Sequence, residues 1–213
     1  MQRRVREFLH REHRFQMGRH QRVFGGRRAV ALRANELGKE HPNTLTMVDL
    51  LGRCLGVAGR LQEAESLLRL AAGGLARHLG DDHPAVGASL SNLAAVVQKR
   101  GACAYYRGDY ADASGARDYA EALYRRALGV FDRDARTPPE TTLTALRNLG
   151  DCLVENGKPS QAAPVLGRVV QLRERLGLPL LGCVEDHAAM LHDAGEHAAA
   201  HKICGRRKLG ANL

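Results

Sequence analysis

Apolar residues along the chain keep a helical spacing. Leu45, Val48, Leu51 and Leu55 recur at steps of three and four, and after a polar break so do Leu61, Ala64, Leu67, Leu68, Ala71 and Leu75. That rhythm lays an apolar stripe along one side of a helix, so each stretch predicts an amphipathic helix that must bury its stripe against a neighbour. The helices come in pairs. Gly59, Gly101, Gly157 and Gly195 mark the turn or the end of the first helix of a pair, where glycine takes a left-handed conformation at little cost. The His-Pro pairs at 41–42 and 83–84 mark helix entry, with proline suited to the first turn and Asn43 or Asp82 as the expected caps.

The pairs repeat. Leu37-Gly38-Lys39-Glu40-His41-Pro42 returns 42 residues later as Leu79-Gly80-Asp81-Asp82-His83-Pro84, and Gly59 returns as Gly101. Leu90-Ser91-Asn92-Leu93-Ala94 returns 56 residues later as Leu146-Arg147-Asn148-Leu149-Gly150, and Gly101 as Gly157. A period of a few tens of residues indicates stacked units that each contact only their neighbours. The second interval exceeds the first by 14 residues. Gly108-Asp109-Tyr110 with Ala113 repeats the glycine-turn-alanine arrangement seven residues beyond Gly101, so the excess reads as two helical turns added to each helix of one hairpin, with its tip at Gly108-Asp109.

The pattern resembles the tetratricopeptide repeat. The 42-residue unit, with L-G-x-x-H-P between repeats and N-L-A/G inside the first helix, is similar to the kinesin light chain class. The resemblance takes Gly52, Ala94, Gly150 and Ala188 as the small residue of the first helix and Ala64, Ala120, Ala162 and Ala200 as that of the second. It implies an all-α fold, a right-handed superhelical solenoid of about five helix-turn-helix repeats. Residues 1–38 are then a basic degenerate repeat, 39–80 a repeat, 81–137 a repeat carrying the extended hairpin, 138–178 a repeat, and 179–213 a degenerate last repeat and tail.

Composition agrees with helices. Aromatic residues make up 4% of the chain and there is no Trp, which starves strands of the side chains they pack best. The charge is uneven: residues 1–33 hold ten Arg and two Glu, so almost all of the net +9 sits at the start. An Arg-rich start without Ser or Thr departs from a transit peptide, and without a recognisable module nucleic-acid binding is disfavoured. No window is apolar enough to span a membrane, and the expected location is the cytoplasm.

Catalytic chemistry is thin. Gly38-Lys39 and Gly157-Lys158 lack the rest of a phosphate-binding loop, and the five scattered cysteines contain no C-x-x-C pair. Cys54 and Cys152 share a repeat position and read as buried small groups. His187 and His192 read as surface histidines of a capping unit rather than metal ligands. No enzyme activity, cofactor or metal is expected.

A stack of hairpins offers instead a concave face lined by first helices, and the expected function is a protein-interaction scaffold or adaptor for extended peptides, acidic ones among them. By resemblance, Asn92 and Asn148 hydrogen-bond the peptide main chain, while Leu50 and Asp186 take the asparagine's place in neighbouring units. The same register puts Arg53, Ser91, Gln98, Lys99, Arg147, Asp151, Glu155 and Asn156 on that face, with Arg53, Lys99 and Arg147 poised for ligand carboxylates. Tyr105, Tyr106 and Tyr110 gather at the extended hairpin as a candidate partner surface. Two alternatives stand beside this reading: a repeat fragment of a larger signalling or motor-associated protein, and an anionic-surface or nucleic-acid binder acting through the Arg-rich start.

Overall fold

The structure, a computed structural model, describes residues 21–179 and, further on, 187–189, 191–192, 195, 197–198 and 201. Among the described residues every regular element is a helix. Residues 21–37 form α1, followed by α2 (Pro42–Val57), α3 (Leu61–Leu79), α4 (Pro84–Tyr106), α5 (Tyr110–Arg133), α6 (Pro139–Glu155) and α7 (Pro159–Arg175). The chain divides into two compact units, Met1–Arg100 and Gly101–Leu213, with the division inside α4. Most of the Arg-rich start lies outside the described residues, as do Asp186 and Ala200. Arg22, Arg27, Arg28 and Arg33 belong to α1.

In the first unit α2 buries Leu45, Val48, Leu51 and Leu55, and α3 buries Leu61, Ala64, Leu68, Ala71 and Leu75. Each buried leucine contributes about 2 kcal/mol. A helix of 16 residues is marginal alone in water, so this shared stripe is what holds α2 in place.

The connection between hairpins explains its own sequence. Gly38 and Gly80 end α1 and α3 with φ of 92° and 85°, conformations that a residue with a Cβ resists. The cap of α2 is not Asn43, as the sequence suggested. It is the histidine: His41 Nδ1 accepts from Asn43 N–H at 3.1 Å, and His83 Nδ1 accepts from Ala85 N–H at 3.1 Å. Proline at the next position then enters the helix where no donor is needed. His83→Ala is expected to lower stability by about 1 kcal/mol, and His83→Asn, which keeps an acceptor, by less. Urea midpoints of the three proteins check this.

In the second unit the extended hairpin runs along the end of α4 and the whole of α5. These helices are 23 and 24 residues long, against 16 to 19 for α2, α3, α6 and α7. Gly101 is therefore not a turn. It stays helical and buried, with the space for a Cβ closed off by Ala116 Cβ and the Ala113 carbonyl, and the left-handed residue is Gly108 at φ 83°. Asp109 caps α5 by accepting from Asp112 N–H at 3.1 Å.

A polar joint recurs in the two units at one register. Glu65 of α3 accepts from Arg100 Nε at 3.0 Å, and Glu121 of α5, 56 residues on, accepts from Asn156 Nδ2 at 3.1 Å and Lys158 Nζ at 2.8 Å. In both cases an arginine one turn further along the glutamate's own helix, Arg69 or Arg125, pairs with the same side chain.

Candidate peptide-binding faces

In the first unit the outward side of α2 carries Leu50 and Val57, 45% and 52% exposed, together with the exposed Arg53. With Arg22 of α1 and the half-buried Cys54 they line a recess of about 130 Å3. Asn92 of α4 is half-buried, and its Nδ2 donates to Asp49 Oδ2 of α2 at 2.8 Å. Burial pushes the Asp49 carboxyl above its ordinary range, opposed by the hydrogen bond from Asn92 and by the charge of Arg53. The Asn92 amide is thus oriented by a carboxylate from the preceding first helix. Lys99 is exposed and donates to the Gly56 carbonyl at 3.2 Å, Gln98 is half-buried, and Ser91 is buried at 9% exposure.

In the second unit α6 presents Arg147, Asn148, Asp151 and Glu155. Arg147 and Glu155 are exposed, Asn148 and Asp151 half-buried. Asn148 hydrogen-bonds the hydroxyl of Tyr124, a side chain with no exposure, whose pKa burial raises. The Asp151 carboxyl is pushed up by burial, pulled down by Arg147 and pushed up again by Glu155. The Asn156 Nδ2 is bonded to Glu121 in the joint described above. Cys152 is fully buried with Sγ 3.7 Å from the Arg117 carbonyl, and burial raises its thiol to about 12, which leaves it unreactive at neutral pH.

At the hairpin tip Tyr105, Tyr106 and Tyr110 are 46%, 87% and 64% exposed. Tyr105 meets the other two edge to face, with ring centres 5.9 Å and 5.3 Å away, and the Arg117 guanidinium lies 4.9 Å from its ring centre. His187 departs from its expected place. It is buried at 3% exposure, because it precedes the small residue Ala188 as Leu51, Leu93 and Leu149 precede theirs, and so occupies a core position. His192 is exposed, with its ring centre 4.5 Å from that of His197. No helix among the described residues is long and apolar enough to cross a membrane.

The sequence reading missed Asp49 and Tyr124. No shared interval marked them: Asp49 lies 43 residues before Asn92, and Tyr124 lies 24 before Asn148.

Hairpins of this geometry, closed by left-handed glycines and packed through small residues, have the fold of tetratricopeptide helical hairpins. Residues 44–85 match the tetratricopeptide repeat family model. The solved structures that the chain resembles include one described as a kinesin light chain. A Podosopora anserina protein of nearly identical TPR-like repeats, described as a kinesin light chain, is 21% identical in its Q17M form, with 97% of this chain and 93% of that one covered and a TM-score of 0.68. The form without that substitution is 23% identical over 98% and 90%, with a TM-score of 0.62. BtubC (BKLC) from P. vanneervenii is 22% identical over 86% of this chain and 69% of that one, with a TM-score of 0.65. None of the curated proteins compared with the chain matches it. Folds of this kind generally mediate protein–protein interaction.

Proposed function

We propose that the chain is a protein-interaction adaptor and that the α2 face of the first unit takes an extended peptide with an apolar side chain beside a carboxylate. The observation that carries this is the recess in which exposed Leu50 and Val57 adjoin Arg22 and Arg53. Apolar surface left open next to guanidinium groups suits a ligand that supplies both a hydrophobic side chain and a negative charge. Asn92 would keep its Nδ2 on Asp49 and offer its carbonyl oxygen to a peptide N–H, which holds the ligand extended whatever its side chains. Arg147, Asn148 and Asp151 form a separate strip of mixed charge on α6. The hairpin tyrosines, Tyr106 most of all, are a second surface for a protein partner, since such rings bring contact area at low entropic cost.

Fluorescence anisotropy with the full chain and a labelled peptide of alternating Asp and Leu tests the reading. Saturable binding is expected, lost when Lys replaces Asp in the peptide and weakened about tenfold by Arg53→Glu, which turns attraction into repulsion. Binding indifferent to both changes, or no binding to any acidic-apolar peptide, would remove the α2 face from the proposal.

A further inference from the structure

On another side of the first unit lies a recess of about 450 Å3, lined by Arg27 of α1, Leu51 of α2, and Gln62, Glu63, Ser66 and Leu67 of α3. Its apolar part is Leu51 and Leu67 and its mouth is polar. Position 26 corresponds to Leu68, 42 residues on, and to Tyr124, a further 56 on, and both of those side chains are completely buried. In α1 the position is Gly26, whose backbone leans directly on Leu51: a Cβ there would be 3.1 Å from Leu51 Cδ1. The rim of the recess is joined by Arg27 Nη2 to Glu63 Oε2 at 2.8 Å.

The charges at the mouth do not balance. Glu63 also accepts from Arg60 Nε at 2.6 Å, so two guanidinium groups share one carboxylate. Arg27 can therefore turn to a second anion while Arg60 keeps Glu63 paired. A volume of this size falls in the range of small-molecule sites.

We propose that this recess binds a small aliphatic carboxylate, with its chain on Leu51 and Leu67 and its carboxylate on Arg27. The site is distinct from the α2 recess and does not depend on the peptide reading.

Octanoate and 1-octanol, which share a chain and differ in head group, test it on the full chain with leucine methyls labelled for NMR. Octanoate is expected to shift the Leu51 and Leu67 methyls saturably, and to bind about tenfold tighter than octanol through one charge-assisted hydrogen-bonded pair. Arg27→Gln should abolish that preference while retaining weak binding of both. Ser66→Trp, at an exposed position of α3, should fill the recess and remove the shifts, with the remaining methyl spectrum reporting an intact fold. Arg53→Glu should change nothing here, which separates failure of this site from failure of the peptide face. Absence of saturable shifts at the two leucines, or equal binding of the two probes by the parent protein, overturns the proposal.

Discussion

Gly150→Val is expected to lower the stability of the Gly101–Leu213 unit by about 3 kcal/mol, read as a fall in urea midpoint at unchanged m-value. At Gly150 α6 lies directly on α7. A Cβ at that position would stand 2.3 Å from Leu166 Cδ2 and 2.9 Å from Leu166 Cγ. Leu166 has no exposure, so it can retreat only by leaving its rotamer or by parting the two helices. Alanine at 150 gains up to about 1 kcal/mol of helix propensity, yet must clear the same atoms, and a smaller net loss is expected. Leu166→Ala alone should cost about 2–5 kcal/mol through the cavity it leaves. Because the two changes act on one space, Gly150→Ala with Leu166→Ala should cost less than their sum. Strict additivity would show that the helices do not meet at this point. Gly52 and Leu68 repeat the arrangement in the first unit, where a Cβ would fall 2.7 Å from Leu68 Cγ.

Those contacts show which levels of the structure the sequence carries openly. Leu45, Val48, Leu51 and Leu55 announce α2 because burial on one side imposes a helical period, and Gly52 and Gly150 announce close packing because the period returns a small residue to one place. The longer hairpin was legible for the same reason: seven residues are nearly two turns, so adding them to each helix preserves the buried side, and Ala113, Ala116 and Ala120 all lie within it. Local rules misled where a side chain has two uses. Gly101 resembles its turn-forming counterparts, but the lengthened helix sets it against α5 as a small residue. His83 lies between better-known capping residues and a proline, and only the backbone geometry shows its ring nitrogen accepting the Ala85 N–H. The candidate face was legible in part. Register placed Arg53 and Asn92 on first helices, but period does not report what a neighbouring helix presents to them, so Asp49 under Asn92 and Tyr124 under Asn148 emerged only from the packing. Ser91 illustrates the same limit, since its neighbour Asn92 is half-exposed while it is buried itself.

Glu121→Ala should destabilise the second unit by about 2 kcal/mol, more than the His83 cap and less than the Gly150 overlap. The carboxylate is only 8% exposed and accepts from Lys158, Asn156 and Arg125, so one side chain ties α5 both to the end of α6 and to the turn before α7. The cost stays below that of an isolated buried ion because Lys158 and Arg125 reach solvent and can rehydrate when their partner is removed. The pH dependence separates this joint from ordinary packing. Burial alone would raise the Glu121 carboxyl, but the hydrogen bonds from Lys158, Asn156 and Arg125 and the charge of Lys158 outweigh it, and the group ends below its ordinary value of 4.5. A depressed folded pKa means that the unfolded chain takes up the proton first. The stability that Glu121 contributes is therefore present above about pH 4.5 and is lost as pH falls through the lower folded value. Asp49 and Asp151 have the opposite sign, since burial raises both, and their ionisation removes stability as pH rises through the raised values. The parent protein alone mixes these effects, so the measurement is the difference between parent and Glu121→Gln, in which the aspartates cancel. That difference should favour the parent at neutral pH and shrink toward zero on acidification below pH 4.5. A difference that holds constant with pH would mean that Glu121 acts through its shape, and that the ion pairs with Lys158 and Arg125 contribute nothing to the joint.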